Sequence, residues 1–160
     1  MGEGMSGWQR VKLVGNVLNL STALGVLVGV IGRAKFSRGP RGLFYATGYR
    51  LGFPIASAFT LGNLVLTKND RAYFDRRPLL VKHEERHSWQ YFCLLGLPML
   101  PLYALGAGWS WLRTGCPASR NPFERLASLK DGNYIEHPVQ PLGQTLSQTF
   151  SGLRSRRKEQ

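Results

Sequence analysis

The sequence predicts an α+β fold, in which a short antiparallel sheet packs on helices. Two strand-like runs support the sheet: 42–51 is rich in aromatic residues, and 57–67 is rich in Thr, Val and Leu. Helical spacing or helix-terminal residues mark 8–20, 78–95 and 121–132. At 160 residues the chain is long enough for one domain with a hydrophobic core.

Composition divides the chain into three segments. Residues 1–34 are apolar and basic, residues 35–137 contain the strands and the charged helices, and residues 138–160 form a polar tail ending in RSRRKEQ. We expect that tail to be disordered, because it lacks apolar periodicity, and its basic cluster to favour anionic surfaces. In the first segment, 23–32 is apolar over only about ten residues, whereas a membrane-spanning helix needs about 20.

The charge is strongly positive. Lys and Arg number 21 against 9 Asp and Glu, which gives a net charge of +12 and favours binding to anionic lipid, nucleic acid or an acidic partner. We expect no specific nucleic-acid binding, because we find no RNA-binding motif of basic and aromatic residues, helix-turn-helix signature or zinc finger. An anionic membrane surface therefore remains the expected charged partner.

The two cysteines and the N-terminal residues bear on the cellular compartment. Cys93 and Cys116 form no CxxC pair, which argues against cysteine metal ligands and, in so small a number, favours a reducing compartment. The first 20 residues show no compact apolar core ahead of a cleavage site, so no secretory signal is predicted. These observations predict a cytoplasmic protein.

The strand-like runs are bounded by turn-forming and charged residues. A stretch with three glycines, a proline and four basic residues, 32–42, reads as a basic loop. Gly52 and Pro54 lie between the two runs, so we expect them to pair as antiparallel strands. The charged segment 68–77 then connects the sheet to the next helix.

The predicted helix 78–95 contains the sequence LLVKHEERHSWQ at 79–90. Pro78 suits the first turn of this helix, and Gly96 and Pro98 follow its end. One face of the helix carries both apolar and ionisable side chains, and we expect this face to point toward the core. Its members are Leu80, Glu84, His87, Tyr91 and Leu94.

The HExxH pattern inside this helix suits zinc chemistry. His83 and His87 stand at i and i+4, so both imidazoles lie on one face, one turn apart, and can reach a single metal ion. Glu84 flanks that position and can take a proton from a zinc-bound water. The alternative is a polar helix whose two histidines are satisfied by hydrogen bonds. Glu85 and Arg86 project elsewhere, and we expect them to be solvated.

A zinc hydrolase needs three protein ligands and one open position. A third histidine six residues after His87 is excluded, because Cys93 stands there. Glu124 in NPFERLA, 37 residues after His87, is the candidate for the third ligand. The competing interpretation is a capping box, in which Glu124 reaches back to the amide of Asn121. The other downstream candidates are Asp131, Glu136 and His137.

Three motifs together resemble a known family. AFTLGN at 58–63, LLVKHEERHSWQ and NPFERLA are similar to the minimal zincin domain of gluzincin-type metallopeptidases, and to small, uncharacterised bacterial proteins of that type. The resemblance covers about 42–134. It implies a zincin-like metal-binding domain over 35–137, in which the HExxH helix and a second, Glu-bearing helix pack on the sheet.

The resemblance also implies site residues and a substrate class. His83, His87 and Glu124 would be the zinc ligands and Glu84 the general base of a metallohydrolase that cleaves peptides or proteins. The strand around 59–66 would be the sheet edge that binds an extended peptide. The alternative function is a basic peripheral membrane protein with a non-catalytic or structural metal site.

The segment 92–112 raises the question of a membrane. It has 21 uncharged residues, which meets the length of a spanning helix and would resemble intramembrane metalloproteases. Its prolines and glycines, and the charged KHEERH just before it, oppose this interpretation, because charges at mid-bilayer are costly. We therefore expect a buried or interfacial segment, with Trp109 and Trp111 suited to a membrane surface.

Overall fold

The computed structural model describes residues 5–54, 56–143 and 147. It shows an α+β fold, as predicted, and its contacts divide the chain into two compact units, Met1–Leu100 and Pro101–Gln160. The first unit contains α1 (Gly7–Leu18), α2 (Ser21–Ile31), β1 (Lys35–Arg38), β2 (Phe44–Thr47), β3 (Ala58–Leu61), β4 (Leu64–Thr67), α3 (Arg71–Asp75) and α4 (Pro78–Cys93).

The sheet has the strand order β1-β2-β4-β3. β1 pairs antiparallel with β2, and β3 pairs antiparallel with β4, but β2 and β4 run parallel, with Tyr45 opposite Val65. The predicted antiparallel pairing of 42–51 with 57–67 is therefore wrong. The second run is itself a hairpin that turns at Gly62, so its returning strand runs in the same direction as β2. β1 also occupies part of the stretch 32–42 that reads as a loop.

Gly62 is required in this hairpin for two reasons. Its φ of 61° lies in the left-handed region that glycine adopts without strain. A Cβ at this position would come within 2.4 Å of the backbone nitrogen of Thr22, at the start of α2. The hairpin therefore packs directly on the backbone of the second helix.

The core of the first unit lies between the sheet and the helices that follow it. The rings of Tyr45 and Phe74 stack with their centroids 4.4 Å apart, which joins β2 to α3. α4 packs on β3, which places the predicted site helix beside the edge of the sheet. The buried cluster consists of Leu43, Tyr45, Ala58, Val65, Phe74, Leu80 and Val81.

A buried polar network joins the N-terminal helices to the rest of the first unit. Asn16 Nδ2 donates to Asn63 Oδ1 at 3.0 Å and to the Ser88 carbonyl at 2.9 Å. Asn63 Nδ2 in turn donates to the Thr22 hydroxyl at 2.9 Å. These bonds connect α1, α2 and α4 to the β3–β4 turn, and they satisfy amides that would be costly to bury unpaired.

The second unit contains the end of the helix α5 (Met99–Thr114) and the short helix α6 (Pro122–Leu126). α5 tolerates Pro101 because this residue lies in its first turn, where no helical N–H bond is lost. α6 begins as predicted but ends before 132, and Ser128 adopts a positive φ of 70° just beyond it. The basic cluster of the predicted tail, at 154–158, lies outside the described residues.

The length and apolar character of the helices decide whether the described part of the chain could cross a membrane. No single helix there is long and apolar enough to cross a bilayer, and this includes α5. α1 and α2 reach the required length and composition only as a pair, and this pair is bent by 69°.

Candidate metal centre

Helix α4 carries three of the four predicted site residues on its inner face. Pro78 occupies its first turn, as predicted, and the helix continues to Cys93. His83, Glu84 and His87 are buried, with exposed fractions of only 1%, 3% and 7%. Buried ionisable groups are uncommon unless they are paired or bind a metal ion, so this face calls for a chemical explanation.

The two histidines of HExxH converge. Their Nε2 atoms lie 3.1 Å apart, across one turn of α4. Two nitrogen ligands of a tetrahedral zinc, each about 2.05 Å from the ion, are separated by about 3.3 Å. The spacing of His83 and His87 therefore fits two donors to one metal ion.

Gln90 orients one of these rings. Its Oε1 lies 2.8 Å from Nδ1 of His87. An amide oxygen can only accept, so this contact assigns the proton to Nδ1 and the lone pair to Nε2, the atom that faces His83. Sequence reasoning did not single out Gln90 as a site residue, although its i+3 spacing from His87 places the two side chains on one helix face.

Glu84 is held by a residue of the sheet. The Thr60 hydroxyl, on edge strand β3, donates to Glu84 Oε2 at 2.7 Å and approaches the Glu84 carbonyl oxygen at 3.3 Å. Thr60 is buried as well. Sequence reasoning missed this residue, because nothing in its neighbourhood links it to a side chain 24 positions away.

Glu124 lies on α6 in the second unit. Asn121 caps this helix by accepting from the Phe123 amide at 3.1 Å, while its own N–H donates to the Ala118 carbonyl. The capping box, which was the competing interpretation of Glu124, is therefore not formed, since the Asn121 amide is already bonded to the Ala118 carbonyl. Glu124 Oε1 instead accepts a hydrogen bond from the hydroxyl of Tyr103 on α5, a residue that sequence reasoning also missed.

The predicted ligands form one buried group. One ligand atom from each of His83, His87 and Glu124 lies within 4.8 Å of the other two, and this group could hold a metal ion. Within the described ranges, no other group of three or more His, Cys, Asp and Glu residues has this property. The group offers two imidazole nitrogens and one carboxylate oxygen as donors, from the same three residues that the sequence predicted as ligands.

The other candidate ligands lie elsewhere. Glu136 forms an ion pair with Arg125 at 2.7 Å, and this hydrogen-bonded partner lowers the pKa of the Glu136 carboxyl. His137 is exposed. Glu85, which the sequence places in solvent, is instead largely buried and pairs with Arg41, because the loop before β2 folds over this side of α4.

No protein-family model, curated protein or solved structure matches the chain. The gluzincin resemblance therefore rests on the three motifs themselves.

Proposed function

We propose that the protein is a zinc-dependent metallohydrolase that acts on peptides. His83, His87 and Glu124 are its zinc ligands, and Glu84 is its general base. The observation that carries the proposal is the convergence of the three buried ligand atoms within 4.8 Å of one another. Two imidazoles and one carboxylate are the ligand set of many catalytic zinc sites, which keep one position open.

The role of Glu84 follows from its place in the chain. It directly follows His83 on α4, which is the position of the general base in the HExxH pattern of zinc hydrolases. A zinc ion held there would supply a Lewis acid that lowers the pKa of water toward neutrality. The Glu84 carboxylate would take the proton of the attacking water and pass it to the leaving amine, while the Thr60 hydroxyl holds Oε2 in place.

The position of β3 supports a peptide substrate. This strand lies at one edge of the sheet, and Thr60 within it bonds to Glu84. A peptide that paired with this edge as an added strand would lie next to the general base. Backbone pairing places little restriction on side chains, so we expect broad sequence tolerance.

Metal content and hydrolysis test the proposal together. The purified chain should contain about one zinc per molecule, and a mixture of unstructured peptides should be cleaved in a chelator-sensitive manner. The double variant His83→Ala/His87→Ala should lose both properties. His137→Ala is the matched control, since it removes the third and exposed histidine. Zinc retained by the double variant would refute the site.

The second candidate function is a basic membrane-associated protein whose metal site is structural. The net charge of +12 favours it, because an anionic leaflet attracts basic proteins. We place the protein in the cytoplasm, at the anionic membrane surface, whichever function holds. Zinc binding without hydrolysis of any peptide would favour this candidate over the hydrolase.

A further inference from the structure

Helix α1 has its polar side inward. The side chains that it buries fully are Lys12 and Asn16, whereas five of its six large apolar residues are exposed, Leu13 being the exception. The exposed fractions of these outward residues are Trp8 73%, Val11 47%, Val14 52%, Val17 50% and Leu18 75%. A surface helix of a water-soluble domain shows the opposite distribution, with its apolar stripe against the core.

Helix α2 repeats this inversion. It buries Ser21, Thr22, Gly25 and Gly29, and four of its six large apolar residues are exposed. The glycines permit close packing, since a Cβ at Gly25 would lie 2.8 Å from the Leu61 carbonyl oxygen. Small residues at the packed face and large apolar residues outside are typical of helices that contact lipid. The outward residues are Val26, Leu27, Val30 and Ile31.

The outward residues of both helices form what we call the α1–α2 face. The turn between the two helices adds a further apolar residue, because Leu20 is exposed. Gly96 packs closely on Asn19 in this turn, which brings the segment around Gly96 next to the face. Leu95, next to Gly96, is 78% exposed. Monomers in water seldom expose contiguous apolar patches beyond a few hundred Å² unless those patches bind something.

The charges around the face indicate its partner. No Asp or Glu stands between Glu3 and Asp70, while eight Lys and Arg residues do. Arg33 lies two residues beyond the end of α2, and the Arg50 amide donates to the Gly32 carbonyl, so two exposed basic residues lie near this helix end. An apolar face with a basic rim complements the acyl chains and headgroups of an anionic leaflet. The eight basic residues are Arg10, Lys12, Arg33, Lys35, Arg38, Arg41, Arg50 and Lys68; of these, Lys12 is buried on the inner side of α1 and Arg41 is paired with Glu85, so neither contributes to the rim.

We propose that the α1–α2 face inserts into one leaflet of an anionic bilayer and anchors the protein there without crossing it. The helices have 12 and 11 residues, which gives lengths of about 18 and 17 Å against a hydrocarbon core of about 30 Å. The 69° bend between them also prevents a single straight span. The proposal names the surface behind the membrane location proposed above and does not depend on zinc or on hydrolysis.

Flotation of the full-length chain with lipid vesicles tests the anchor. Wild type should float with vesicles of phosphatidylcholine and phosphatidylserine and should remain bound in high salt, because the apolar face holds it. The variant Val14→Asp/Leu27→Asp should float at least tenfold less. Ile135→Asp/Leu142→Asp is the matched control, because these exposed apolar residues lie in the other unit, and it should float like wild type.

Further variants and measurements make the test decisive. Val11→Asn/Val30→Asn should repeat the loss with uncharged side chains, and far-ultraviolet circular dichroism should remain that of wild type in both variants. Arg33→Gln/Arg50→Gln should lower binding to the anionic vesicles more than binding to pure phosphatidylcholine.

Three results would overturn the anchor. The first is the failure of wild type to float with the anionic vesicles, and the second is equal flotation of the face variants and wild type. The third is a lipid-free dimer, seen by sedimentation, that the face variants dissociate while flotation is unchanged, since the face would then bind a second copy. Metal content is measured in parallel, so a failed anchor and a failed zinc site are distinguished.

Discussion

The hydroxyl of Thr60 donates a hydrogen bond of 2.7 Å to Oε2 of Glu84, and both side chains are buried. This bond joins the edge strand of the sheet to the site helix. It fixes the position of Glu84, the proposed general base. The residues next to Thr60 and Glu84 in the sequence do not predict this contact.

Replacing Thr60 with Val should reduce hydrolysis without removing zinc. Val keeps the shape of Thr but cannot donate, so the buried carboxylate loses a partner at a cost of about 1–3 kcal/mol. We expect kcat to fall about tenfold with KM little changed, since one positioning bond is worth roughly that much. Thr60→Ser restores the donor and should recover most of kcat. A kcat equal to wild type in Thr60→Val would remove Thr60 from the positioning role.

Replacing Glu84 with Gln should separate metal binding from chemistry. The amide cannot accept the proton of water, so hydrolysis should fall by about 10²–10⁴-fold while the zinc content stays near wild type. Glu136→Gln is the control, because it changes the same side chain at an exposed position. Steady-state kinetics and elemental analysis measure the two effects. Loss of zinc in Glu84→Gln would instead make Glu84 a ligand.

Replacing Glu124 with Gln should weaken zinc binding. Gln retains the size of the side chain but loses the negative charge that makes a carboxylate a good zinc ligand. We expect the zinc dissociation constant to rise by about 10–100-fold, measured by competition with a chromogenic chelator. Tyr103→Phe removes the hydrogen bond to Glu124 Oε1 and should have a smaller effect in the same direction. An unchanged dissociation constant in Glu124→Gln would exclude Glu124 as a ligand.

Removing zinc should destabilise the fold. A ligand that binds the native state contributes RT ln(1 + [L]/Kd), which is about 4 kcal/mol when the metal is at about 1,000 times its Kd. Dialysis against a chelator should therefore lower the thermal midpoint, and added zinc should restore it. The His83→Ala/His87→Ala variant should show no response to zinc. A zinc response of the same size in that variant would point to ligands elsewhere.

Lys12 should destabilise the protein at neutral pH. Burial lowers the pKa of Lys12 from 10.5 to about 8, partly offset by the charge of Glu85. Between these two values the unfolded chain binds more protons than the native chain, so the free energy of unfolding rises as pH increases from about 8 to 10.5. Below pH 8 the cost of the buried ammonium is present in full.

Lys12→Met should therefore raise the free energy of unfolding at pH 7 by about 1–3 kcal/mol. The gain is reduced toward the lower value because the substitution also removes the favourable contact of the ammonium with the Trp89 ring. It should also flatten the rise in stability above pH 8. Denaturant unfolding at a series of pH values measures both effects. Lys68→Met, at an exposed position, is the control. A less stable Lys12→Met at pH 7 would mean that the charge of Lys12 is favourably paired.

The sequence by itself determined the parts of the site that lie on one helix. His83 and His87 are four residues apart, and helix geometry alone then requires that they share a face. The sequence also predicted that helices begin at Pro78 and just after Asn121, because the residues that start a helix act on their immediate neighbours in the chain. Zinc, hydrolysis and the peptide substrate remain predictions that these local patterns support.

Only the tertiary structure decided which distant segments meet. The parallel pairing of β2 with β4, the bond from Thr60 to Glu84 and the bond from Tyr103 to Glu124 all join residues separated by about 20 positions or more along the chain. The outward position of the apolar face of α1 and α2 was also decided only by the tertiary structure. The spacing of apolar residues shows that a helix has an apolar and a polar face, but not which of the two packs against the rest of the protein. Local periodicity is set by backbone geometry, whereas these contacts depend on the path of the whole chain and on the free energy of packing it.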